Sequence, residues 1–124
     1  MKSLNDLTAP APVERKLLEA DVQEKCVEWA RRRGYWARKF SSISQRSVPD
    51  YLFAKETEVG YADRSTERVK IKFACEFKAP GKIPTDNQFD EMRAMREAGW
   101  RVFFADSFET FQMGVKQAEA DHVS

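Results

Sequence analysis

Residues 69–78, VKIKFACEFK, constrain this chain more than any other stretch. Val69, Ile71, Phe73, Cys75 and Phe77 alternate strictly with Lys70, Lys72, Ala74, Glu76 and Lys78. A period of two sends successive side chains to opposite faces of a sheet, so the spacing predicts a strand with an apolar odd-numbered face and a polar even-numbered one. Glu76 and Lys78 then share a face, about 7 Å apart along the strand. The Pro80-Gly81 bend follows at once and ends it.

The remaining elements are read outward from this strand. Residues 1–12 read as a flexible N-terminal arm, because TAPAP resists both helix and strand. A single domain over 13–120 follows, and 121–124 form a short tail. Pro12 suits a helix start, and Leu18, Val22, Cys26 and Trp29/Ala30 recur at three- and four-residue steps until Gly34, so a first helix is expected over about 13–33. YWARKF (35–40) and YLFA (51–54) read as strands on either side of the polar turn SSISQRS. The hydrophilic stretch KETEVGYADRSTER (55–68) is longer than most loops of compact domains and reads as an extended hairpin or a mobile flap.

After the Pro-Gly bend, Thr85 and Gln88 have the spacing of a capping box for a helix through about Ala98, with Phe89, Met92 and Met95 inward. WRVFFA (100–105) is a further strand. Asp106 or Ser107 then caps a last helix to about Ala120, with Phe108, Phe111 and Val115 on its apolar stripe. The order is α-β-β-β-α-β-α, an α/β fold with a mixed central sheet flanked by helices. The strands on either side of the helical crossover are expected to be parallel.

Composition closes off several chemistries. The chain has 124 residues with nine Phe, three Tyr and three Trp, enough for one hydrophobic core. Its two cysteines, Cys26 and Cys75, are far apart, and its one histidine is His122. A Cys/His zinc site or a His-based triad lacks the residues it needs, so any catalysis rests on carboxylates, lysines or an oxygen-held metal. No apolar run nears the roughly 20 residues of a membrane span, and the N-terminus has no signal-peptide core, so a cytoplasmic protein without a membrane partner is expected.

Charge is balanced overall at +1 but unevenly spread. Residues 31–49 carry Arg31, Arg32, Arg33, Arg38, Lys39 and Arg46 with no acid. Beside Tyr35, Trp36 and Phe40, such a segment has the makeup of a phosphate-tracking surface, and equally that of a solvated strand edge and loop.

An EFK strand end is by itself only an ion pair worth a few tenths of a kcal/mol. Its meaning changes with VPD at 48–50, because Asp50 opens a neighbouring strand and can bring its carboxylate beside Glu76. Two converging carboxylates repel unless a cation lies between them. Oxygen ligands of this kind suit Mg²⁺ or Mn²⁺, and a nearby Lys78 can orient a metal-bound water or offset charge developing on a phosphate.

These residues resemble a known family. Asp50 in VPD, followed after 25 intervening residues by EFK at 76–78, is similar to the PD-(D/E)XK nuclease pattern. The preceding helix, KAPGK running on from the EFK, Gln88 on the next helix and the strand WRVFFADS resemble more narrowly the virus-type replication-repair nuclease (VRR-NUC) domain. The resemblance spans about residues 17–108. Ser47 stands where relatives usually have glycine, and the 55–68 connection is longer than theirs.

The resemblance implies a restriction-endonuclease-like core that cuts DNA with Mg²⁺ or Mn²⁺. On that mapping Asp50 and Glu76 are metal ligands and Lys78 is the catalytic lysine. Glu19 matches an acidic residue on the first helix that would join the metal ligands, and Gln88 matches a glutamine of the active site. From the residues alone Gln88 is fully explained by its cap, and Glu19 is not singled out in a helix rich in acids, where Asp21 or Glu24 could equally be surface charge; the resemblance chooses it. Arg38, Lys39, Arg46, Lys82, Arg93 and Arg96 are candidate phosphate contacts. Stand-alone domains of this size resemble phage enzymes that resolve four-way (Holliday) junctions as homodimers, with a flap, nicking or restriction-type nuclease, or a non-catalytic nucleic-acid-binding module, as the alternatives.

Overall fold

A computed structural model describes residues 11–40 and 48–121, with side chains from Leu18 onward. The first ten residues of the arm expected over 1–12, together with Arg46, Ser47 and His122, lie outside the described residues. The elements in chain order are α1 (Ala11–Arg32), β1 (Trp36–Lys39), β2 (Tyr51–Gly60), β3 (Thr66–Phe77), α2 (Asp86–Glu97), β4 (Val102–Ala105) and α3 (Phe108–Ala120). Among the described residues these follow the expected α-β-β-β-α-β-α order, a mixed sheet flanked by helices. The first helix begins at Ala11, so the last residues assigned to the arm belong to it.

The sheet runs β1-β2-β3-β4. β1 and β2 are antiparallel, as are β2 and β3, whereas β4 lies parallel to β3 across the α2 crossover. Residues 55–68 form the outer part of the β2–β3 hairpin, extending the paired ladder out to Gly60 and Thr66. This is the extended-hairpin alternative, with Glu56 and Glu58 exposed on one side and Lys55, Thr57 and Val59 half-buried on the other. Its tip is set by Arg64, which takes a positive φ of 68°, and by Asp63, whose Oδ1 accepts from the Ser65 backbone N–H at 2.9 Å.

Helices cover both faces of the sheet. On one face Cys26, Val27 and Ala30 of α1 and Phe111, Val115 and Ala118 of α3 pack on Phe53, Ile71, Phe73, Cys75 and Phe77. Phe53 and Phe73 stack with centroids 4.9 Å apart, and Phe111 packs against both of them and against Phe77. Gly114 on α3 has a specific reason: a Cβ there would run into the Phe103 ring, so glycine lets the helix lie close on β4. The side chain of Glu119, near the end of α3, accepts from Tyr35 Oη at 2.7 Å and from Arg33 Nη2 at 2.9 Å, tying α3 to the exit of α1.

On the other face α2 seals a smaller cluster of Ala74, Met92 and Val102, flanked by Leu52, Phe89, Met95 and Phe104. The even-numbered face of β3 is consequently not polar throughout. Lys70 and Lys72 are exposed, but Ala74 and Glu76 are buried beneath α2. An amphipathic helix needs an apolar floor, and Ala74 supplies it. The carboxylate two residues further on is carried into the protein.

Candidate active site

The register explains how two distant carboxylates meet. Tyr51 pairs with Cys75, so Asp50, one residue before β2, falls opposite Glu76 at the end of the ladder. Buried Pro49 anchors the approach, and the Asp50 carbonyl accepts the Phe40 N–H at 2.6 Å. The Asp50 side chain is held as well, its Oδ2 accepting from the Phe77 backbone N–H at 3.1 Å.

Glu76 is only 4% exposed. Its Oε1 accepts from Gln88 Nε2 at 2.8 Å and lies 3.5 Å from Lys78 Nζ. Its Oε2 is buried and has no hydrogen-bond partner among the described residues. An ionised carboxylate oxygen left in that state is costly, and buried unsatisfied groups of this kind call for an explanation. Burial, reinforced by the neighbouring Asp50 charge and opposed by Lys78 and by the Asp50 backbone N–H, pushes the Glu76 carboxyl up to about 7. Burial also raises Asp50, against the Phe77 N–H and the charges of Lys78 and Lys39.

Gln88 has two partners at once. Its Oε1 accepts the Thr85 backbone N–H at 2.8 Å, while Thr85 Oγ1 accepts the Gln88 N–H at 3.2 Å, completing the capping box. Its amide nitrogen is thereby turned to Glu76. The cap and the contact to the carboxylate are one arrangement, so the two readings of Gln88 do not exclude each other. Gln88→Glu separates them: the acceptor for Thr85 survives, but the donor to Glu76 is replaced by a third carboxylate. We expect its thermal unfolding to show a loss of about 1–3 kcal/mol, several-fold more than an exposed glutamine would give. Addition of Mn²⁺ should recover part of that loss.

The other predicted residues are placed as follows. Glu19 is half-buried and continues the inward stripe of Val22 and Cys26 toward the start of α1. Among the described residues no group of three or more His, Cys, Asp or Glu is positioned to hold a metal, so the structure does not show Glu19 joining Asp50 and Glu76. Lys39 stands near enough to Asp50 for its charge to be felt, and Arg38 packs its guanidinium 5.8 Å from the Trp36 ring. Lys82 is exposed on the turn after Pro80, where the Gly81 N–H donates to Asp106 Oδ2 at 3.0 Å.

Arg93 is exposed, 4.0 Å from Asp90. Arg96 donates from Nε and Nη2 to the Val102 carbonyl at 3.2 and 2.8 Å, which gives it a structural duty at the start of β4. Asp106 holds the Pro-Gly turn, and it is Ser107 that caps α3. Both thiols are unsuited to nucleophilic chemistry, since burial raises Cys75 well above its ordinary value and pushes Cys26 up to about 12.

Compared with models of known protein families and with curated proteins, the chain matches none. No helix among the described residues is long and apolar enough to cross a membrane.

Proposed function

We propose that the corner formed by Asp50, Glu76, Lys78 and Gln88 is the active centre of a metal-dependent DNA endonuclease with a restriction-endonuclease-like core. The observation that carries this reading is Glu76 Oε2, a buried carboxylate oxygen without a partner beside a second carboxylate. A hard divalent cation satisfies such an oxygen, and the donor set, two carboxylates without histidine or thiolate, fits Mg²⁺ or Mn²⁺.

Asp50 and Glu76 would hold the ion. When bound, it supplies Lewis-acid stabilisation of a phosphoryl oxygen and a water of lowered pKa. The protein's own groups have separable duties. The Phe77 N–H fixes one Asp50 oxygen, and Gln88 fixes Glu76 Oε1, so each carboxylate keeps its other oxygen for the ion. Lys78, held 3.5 Å from Glu76 on a chain whose N–H is bonded to the Ala105 carbonyl, brings a positive charge to where a scissile phosphate and attacking water would lie. Lys39 and Lys82 are candidates for the flanking phosphates.

By analogy with junction-resolving nucleases the substrate is branched DNA and the working unit a homodimer, whose two-fold axis would offer two centres to a four-way junction. The test is incubation with Mg²⁺ or Mn²⁺ and labelled four-way junctions, flaps, single strands and linear duplex. Metal-dependent paired nicks confined to the four-way junction are the expected result. Cutting of flaps or duplex instead selects the other nuclease readings, and binding without cutting on every substrate overturns the enzyme in favour of a binding module.

A further inference from the structure

The α2 helix joins two different surfaces. Its N-terminus carries Gln88 to the catalytic corner, and its C-terminus opens onto a hollow of about 290 Å³ lined by Lys70, Lys72, Gly99, Trp100 and Arg101. The helix has 12 residues, so the two ends are about 18 Å apart at about 1.5 Å per residue. β3 gives an independent measure, because Lys72 and Glu76 lie on the same face four residues apart, about 13 Å along the strand.

The hollow has two features that ordinary surface does not combine. The first is a surplus of cations. Arg101 is matched by Asp121 at 3.2 Å, and Lys70 faces Glu56 across the hairpin, where Glu56 already accepts from Arg68 at 2.6 Å. Lys72 sits opposite Ala54 and has no acidic partner among the described residues. The second feature is Trp100, whose side chain is 39% exposed and stacks on no other aromatic ring among the described residues. Its backbone is fixed by an N–H donated to the Met95 carbonyl at 2.9 Å, so the indole is presented on a rigid helix end. Trp100 also borders a second hollow of about 260 Å³ on the side of Val102 and Gly114.

We infer that this hollow binds an unpaired stretch of the DNA substrate, with Lys72 and Lys70 on its phosphates and a base stacked on Trp100. Charge complementarity selects a polyanion. An aromatic face free to stack selects a strand whose bases are not already stacked in a duplex. The inference rests on the nuclease reading for its biological partner and adds to it: nucleotides unpaired at the branch point are held within about 20 Å of the cut.

The test is equilibrium binding of a labelled short oligo-dT and of a blunt duplex to the full chain in a metal chelator, where no cleavage occurs. Trp100→Ala is expected to weaken oligo-dT binding about 10-fold with little change on duplex. Lys72→Ala should lower the slope of log K against log salt by about one. Trp100→Leu keeps an apolar side chain over the hollow should the alanine variant fail to fold, and it should show the same selective loss. Unchanged oligo-dT affinity in the folded variants, equal losses on duplex, or a wild-type protein that ignores oligo-dT each overturn the inference. Cleavage in Mn²⁺ is scored separately, so a failed hollow and a failed nuclease give different results.

Discussion

Glu76→Gln and Asp50→Asn are each expected to lower Mg²⁺- or Mn²⁺-dependent cleavage by about 100-fold or more. Both substitutions keep the side-chain shape and remove an anionic ligand. In Glu76→Gln the acceptor for Gln88 Nε2 is retained, so the end of α2 keeps its tie to β3. The wild-type carboxylate is held up to about 7 chiefly by burial, so its ionised form strains the metal-free fold. The glutamine variant should therefore remain folded at pH 8, and its lost cleavage will not be a folding defect. Gel-resolved cleavage rates alongside circular dichroism check both halves, and cleavage persisting in either variant would sink the assignment of the metal ligands.

The second large effect is on stability. An acid whose folded pKa is raised binds a proton more tightly in the native than in the unfolded state, so its ionisation opposes folding. For Glu76 that cost is absent below about pH 4.5, grows through the interval up to about 7, and is complete above it. At its full extent it amounts to about 3 kcal/mol. Asp50 is shifted in the same direction. Glu119, held low by Tyr35 and Arg33 against its own burial, stabilises the fold above the ordinary carboxylate range and loses that contribution only at more acid pH.

The metal-free protein should accordingly lose stability from pH 5 to pH 8 in urea titrations. Mg²⁺ or Mn²⁺ should restore it at pH 8 and do little at pH 5, where Glu76 carries a proton. Every other titrating group is common to wild type and Glu76→Gln, so the difference between the two proteins isolates Glu76. A Glu76→Gln profile parallel to the wild type, with the same metal response, would contradict this account.

The element order, the parallel β3–β4 pairing, the cap at Thr85 and the apolar stripes of α2 and α3 were legible because each has a local signal: alternation, helical spacing or a capping pair. The pairing of Asp50 with Glu76 was legible only as an expectation, since it depends on a hairpin register fixed by ten cross-strand pairs from Tyr51–Cys75 to Gly60–Thr66. What alternation could not convey was burial on the even face. Lys70, Lys72, Ala74 and Glu76 look alike in a period-two pattern, and only the position of α2 separates the wet pair from the dry one. The structural contact of Arg96 was hidden for a similar reason: a cation near a helix end reads as surface charge until a carbonyl of the next strand is found beside it. Nor does sequence place Trp100 beside Lys72, which are joined across the crossover by no periodic signal.

The hairpin carries one further consequence. Beyond Ala54 on β2 and before Ala74 on β3, each strand pairs only with the other among the described residues, so two backbone edges are left open. Open edges invite a neighbouring molecule to extend the sheet, the first step toward fibres. Here Glu56, Glu58, Arg68, Lys70 and Lys72 are all exposed on one side of the ribbon, with signs set by cross-strand matching of Glu56 to Lys70 and Glu58 to Arg68. A strand that docks on either edge must take water from these charged side chains, which is how charged residues blunt an open edge. The ribbon thus reaches past the body of the fold with its open edges guarded by charge.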